Sequence, residues 1–93
     1  MYFSYDKNKI IKRSISISKQ KSNLASNLMS LMEEWNPGKN ITKQQVEKDL
    51  YMEAIYFNGD IHNYTAYFHT SYFSGHSAEI RMWKGKKIMG LIG

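Results

Sequence analysis

The sequence predicts an α+β fold, an antiparallel β-sheet with two helices packed on one face, and three observations carry that expectation. An apolar stripe repeats at helical spacing between residues 24 and 35, a capping box opens a second helix at Thr42, and the last forty residues alternate apolar and polar side chains between turn signals. The expected element order is β-β-α-α-β-β-β. With no linker, repeat or low-complexity tract, residues 1–93 make a single domain.

The first third reads as a β-hairpin. Tyr2-Phe3-Ser4-Tyr5 runs into the polar cluster Asp6-Lys7-Asn8-Lys9, after which Ile11, Ile15 and Ile17 alternate with Lys12, Ser14, Ser16 and Ser18, a period-two pattern that Arg13 alone breaks. Next, Leu24, Ala25, Leu28, Leu31, Met32 and Trp35 form one helical stripe, with Ser22 or Ser18 as the expected cap and Asn36-Pro37-Gly38 as the stop. Thr42-Lys43-Gln44-Gln45 is the capping box of the second helix, followed by Val46, Leu50 and Ala54 every four residues; near residues 52–55 helix gives way to strand. Turns are expected at Asn58-Gly59-Asp60, Ser74-Gly75 and Lys84-Gly85, with a short final strand over 87–91. If the first turn is a three-residue loop, Ile55 and Phe57 share a core face with Ile61, Tyr67, Ile80 and Met82. The opposite, solvent face then carries Tyr56, His62, Tyr64, Phe68, Arg81 and Trp83.

Composition narrows the setting. There is no cysteine, which excludes disulfides and thiolate metal sites and points to a reducing, cytoplasmic environment. No N-terminal apolar run reads as a signal peptide, the Asn-x-Thr sequons at Asn40 and Asn63 are then chance matches, and Ile88-Met89-Gly90-Leu91-Ile92 falls well short of the ~20 apolar residues that span a bilayer. No membrane partner is expected. The abundance of Lys, Asn, Ile, Tyr and Phe follows A/T-rich codons and suggests a low-GC bacterium, or one of its phages or mobile elements, as the source.

Charge is segregated along the chain. Residues 1–21 hold six basic and one acidic residue, residues 22–80 three and seven, residues 81–93 four and none, so a net +5 chain has two basic ends and an acidic middle. Should those ends neighbour each other, Lys12, Arg13, Lys84, Lys86 and Lys87, joined by Lys7, Lys9 and Arg81, would form one surface suited to phosphates. Lysines that solvate a face or guard sheet edges against pairing would look the same in sequence. Nine of the thirteen aromatic residues lie between Tyr51 and Trp83. Rings on a sheet face beside Arg or Lys stack bases or anchor protein contacts, although Tyr and Phe are also ordinary strand residues. An RNP-type consensus and a helix-turn-helix spacing are both missing.

Catalytic and metal readings are weaker. His62, His69 and His76 recur every seven residues, an odd interval that turns two of them to opposite sides of a regular strand, and no Asp, Glu or Cys set completes a tetrahedral site. Ser74 or Ser77 beside His76, or His62, His69, Tyr64 and Arg81 in a metal-free ribonuclease resembling small bacterial toxins, are the catalytic candidates; no nucleophile elbow or glycine-rich phosphate loop accompanies them. The expectation is therefore a non-enzymatic binding or inhibitory protein without cofactor, able to self-associate. It would dock on a host protein or nucleoprotein complex through Tyr56, Tyr64, Phe68, Arg81 and Trp83, as an anti-defence protein of the anti-CRISPR type would. Glu33, Glu34, Glu47, Asp49 and Glu53 form an acidic second face on or beside the helices, suited to a basic channel in the target. Direct nucleic-acid binding through the basic ends is the alternative, and RNA cleavage the third.

Overall fold

The computed structural model describes residues 7–92. Four helices come first and four strands follow: α1 Lys7–Ser18, α2 Lys21–Met29, α3 Met32–Trp35, α4 Lys43–Asp49, β1 Tyr51–Asn58, β2 Asp60–His69, β3 Ser77–Trp83 and β4 Lys86–Ile92. The strands form one antiparallel meander in the order β1-β2-β3-β4. The expected α+β class holds, with the helices covering one face of the sheet.

The N-terminal hairpin does not hold. Its first strand, over residues 2–5, lies outside the described residues, and its second is α1. The isoleucines fit two periods, and Arg13 decides between them. In a helix Ile10, Arg13, Ser14 and Ile17 share one face. Ile17 is fully buried while Ile11 and Ile15 stay half-exposed, and Arg13 Nε donates to the Ile61 carbonyl at 3.0 Å with its guanidinium 5.1 Å from the centre of the Tyr64 ring. The residue that broke the strand pattern is thus the one that ties the helix to the sheet.

The helical stripe from Leu24 is real, but it belongs to two helices. Leu31 N–H bonds the Leu28 carbonyl three residues back, and Ser30 Oγ donates to Asn27 O at 2.9 Å, tightening the chain between α2 and α3. Gln20 precedes α2 with no side-chain cap, so neither Ser22 nor Ser18 plays that role. At α4 the capping box closes as expected: Gln45 N donates to Thr42 Oγ1 at 3.2 Å, and Thr42 N to Gln45 Oε1 at 2.8 Å. Leu24, Ala25, Leu28, Met32, Val46 and Leu50 from the helices meet Tyr64, Ala66, Phe68, Ala78 and Ile80 from the sheet in one core, closed on one side by Phe73 of the β2–β3 loop.

The turns fall where the sequence puts them. Lys84 and Gly85 both have positive φ (48° and 80°), the conformation that joins two strands in a two-residue hairpin, and Trp83 therefore pairs with Lys86. Gly59, at φ 85°, reverses the chain between Asn58 and Asp60. The ladder then skips: Phe57 pairs with Tyr64, not with Ile61. That three-residue offset is odd, so it inverts the two faces of β2 relative to the expectation.

Candidate binding surface

The inversion redistributes the aromatic residues. Tyr64 and Phe68, expected on the contact face, are 2% and 0% exposed and form part of the core under the helices. Tyr67, expected in the core, stands on the open face, where its ring meets Tyr56 edge-on at 5.8 Å. Tyr56, Arg81 and Trp83 lie on the open face as expected, Tyr56 63% and Trp83 43% exposed. β1 and β3 kept their predicted faces because their alternation is anchored by Ile55, Phe57, Ile80 and Met82, all facing the helices.

The register arranges these residues in rows. Tyr56 pairs with Thr65, Thr65 with Arg81 and Arg81 with Ile88, so one row crosses all four strands. Trp83 and Lys86 form the next row towards the hairpin end. Ile88, more than half exposed, is a member that sequence reasoning missed. The signal was there: a two-residue turn at Lys84-Gly85 places residue 88 opposite residue 81. Arg81, Trp83, Lys86 and Ile88 border a groove of about 380 Å³ that includes Asn58 and Thr65 as polar neighbours.

Both basic blocks reach the same end of the molecule. The β1–β2 and β3–β4 turns lie side by side, because Lys84 N–H donates to Asn63 Oδ1 at 3.0 Å. On the other side of the same segment, α1 is tied down by Arg13 on Ile61, with Lys9 and Lys12 beside it in a shallow cleft. Arg13 and Lys84 thus bracket the first residues of β2 from two segments about seventy positions apart in sequence, with Lys12 next to Arg13 on α1 and Lys86 and Lys87 following Lys84 on β4. Lys86 and Lys87 point to opposite sides of the hairpin. Among the described residues Glu79 pairs with Arg81 (3.4 Å) and Glu53 lies 3.6 Å from His69 Nδ1, leaving Lys9, Lys12, Lys84, Lys86 and Lys87 without a carboxylate. Lys84 Nζ instead lies 5.5 Å from the Trp83 ring centre.

Glu33, Glu34, Asp49 and Glu53 are placed towards the far end. Asp49 Oδ2 accepts from Thr70 Oγ1 (2.9 Å) and Ser71 N (2.7 Å), and Trp35, next to Glu33 and Glu34, packs edge-on against Phe73 and His76. The fold therefore sets Arg13 and Lys84 at one end of β2 and Asp49 and Glu53 at the other.

The three histidines go their separate ways. His62 is exposed near Asp60, His69 stacks on Tyr51 at 4.8 Å, and His76 bonds the Ile92 carbonyl through Nδ1 at 3.0 Å. Among the described residues no three His, Asp or Glu side chains gather as metal ligands. One chain of groups resembles a nucleophile relay: Ser71 Oγ is 3.4 Å from His69 Nε2, and His69 Nδ1 3.6 Å from Glu53 Oε1. Its surroundings oppose acyl transfer. The Ser71 N–H, the nearest donor for an oxyanion, is already bound to the Asp49 carboxylate, which would repel the developing negative charge. Ser74, Ser77 and His76 lie on the β2–β3 loop and the start of β3, with His76 engaged by Trp35 and Ile92, so they form no relay of that kind. In the ribonuclease set Tyr64 is buried, while His62 and His69 sit near opposite ends of the ten-residue β2, too far apart to act on one phosphate.

Comparison with protein-family models, curated proteins and solved structures finds no match for this chain.

Proposed function

We propose that this chain is a non-enzymatic binding protein that docks on a nucleoprotein complex, its turn end on the nucleic acid and its open sheet face alongside. The convergence of the two basic blocks on the first residues of β2 carries the reading. Unpaired lysines gathered from α1 and the β3–β4 hairpin make a local positive field, and a polyanion gains most from such a field by releasing its counterions. The acidic far end disfavours the same ligand, which gives the molecule a preferred orientation on it. A protein that occupies the nucleic-acid face of a host complex inhibits that complex, the action of an anti-defence protein from a phage or mobile element.

The test is a titration of the pure protein against labelled single- and double-stranded DNA and RNA at about 50 and 200 mM salt. Affinity in the micromolar range or tighter, falling by about 50-fold or more over that interval if four phosphates are neutralised, is the expected result. No binding of any nucleic acid at the lower salt overturns the reading.

Docking on a host protein alone is a second reading, favoured by one observation. Tyr56, Trp83 and Ile88 are large apolar side chains held exposed on one sheet face, the residue types that anchor protein contacts. Such binding would depend little on salt.

A further inference from the structure

The groove at the turn end of the open face adds chemistry that charge alone does not require. Trp83 forms one wall. Lys84 Nζ lies over the Trp83 ring at 5.5 Å, and the ring, 43% exposed, is open to a ligand. Arg81 and Lys86 flank it, and Asn58 and Thr65 are polar residues of its lining. At about 380 Å³ it falls at the small end of ligand sites, ~300–1,000 Å³, with room for a base and part of its sugar. A base in a duplex has both faces covered by its neighbours; only an unstacked base can lie on an indole.

From this arrangement we infer that the ligand of the turn end is a single-stranded nucleic acid, one base of which stacks on Trp83 in the groove while its phosphates run over Lys84 and Lys86. Charge complementarity selects the occupant: Lys84 and Lys86 rim the groove, Glu79 is engaged with Arg81, and Asp60, opposite Asn58 in the turn, accepts the His62 N–H. The inference rests on the nucleic-acid reading above and narrows it to unpaired strands.

Anisotropy titrations test it, using labelled 12-nucleotide dT and rU strands, a 12-base-pair duplex and inorganic polyphosphate as competitor, at about 50 mM salt. The single strands should bind at least about ten-fold tighter than the duplex. Trp83→Ala should weaken them by about 5- to 100-fold and leave the salt dependence unchanged, since stacking is lost but no charge. Trp83→Phe should restore most of the affinity, because a ring is retained. Polyphosphate should displace the strands poorly from the wild type and readily from Trp83→Ala. Trp83 is half-exposed, so both variants should keep the wild-type urea midpoint, which separates a binding effect from a folding one. Equal affinity for strand and duplex, or an unaltered Trp83→Ala, overturns the base-stacking inference and leaves the polyanion reading standing. Failure of every nucleic acid to bind overturns both.

Discussion

Parity at single residues decides which rings are available for contact. Phe68 and Tyr56 look alike in sequence, each an aromatic strand residue with a second ring directly beside it (Tyr67 and Phe57). One is fully buried and the other nearly two-thirds exposed. Phe68→Ala should therefore lower stability by about 3–5 kcal/mol, because it removes a large side chain from a core that can collapse only in part. Tyr56→Ala should stay within about 0.5 kcal/mol. Urea unfolding of the two variants measures both, and equal costs would contradict the β2 register. Tyr56 takes its face from Ile55 and Phe57 on either side, but Phe68 does not betray its face locally. The face of β2 depends on the ladder offset after Gly59, and the three residues 61–63 that create it carry no signature beyond an ordinary polar–apolar mix.

Among the elements, α1 is where two periods compete. The sequence around Ile11, Ile15 and Ile17 satisfies a strand, and β-branched side chains favour one. A helix nevertheless gains the Arg13 bond to Ile61, the ring contact with Tyr64 and a buried Ile17, while the strand would bury a charged residue on its apolar face. Helix and strand make different demands on the same three isoleucines. Ile17→Ala should cost about 2–4 kcal/mol, whereas Ile11→Lys and Ile15→Lys should change stability by no more than about 0.5 kcal/mol. In a strand all three would face the core and all three substitutions would be costly. The same urea measurement distinguishes the cases. By contrast, the start of α4 was readable, because Thr42 and Gln45 satisfy each other's free backbone N–H groups within one turn and need no distant partner; its end was not, since α4 stops at Asp49 and Ala54, expected at helical spacing, lies in β1.

The whole molecule supplies the charge pattern. On the proposed reading the two basic blocks act together, and with Asp49 and Glu53 at the other end of β2 they would orient a polyanion. Lys12 and Lys84 stand on separate elements, yet both should contact one ligand. Lys12→Gln and Lys84→Gln should each reduce the slope of log affinity against log salt by about 0.7 for a single strand, and the double variant by about 1.4. Lys43→Gln and Lys48→Gln, on α4 beside the Asp49 end, should leave that slope unchanged. Slopes that respond to only one of the two blocks would show that they act on different ligands.

Sequence by itself determined what depends on near neighbours: the α+β class, the apolar stripe of α2 and α3, the α4 cap, all three turns, and the faces of β1 and β3. These follow from side-chain spacing, backbone preferences of Asn, Gly and Pro, and hydrogen bonds that close within a few residues. Tertiary structure decided what depends on pairing at a distance. It turned the first isoleucine run into a helix, moved Tyr64 and Phe68 into the core, brought Tyr67 and Ile88 to the open face, and set Lys12 and Arg13 beside the Lys84 hairpin. The physical reason is common to all of these. A strand's faces are set by its partner's register, and an ambiguous amphipathic segment takes the form that lets its charged residue find a partner across the sheet.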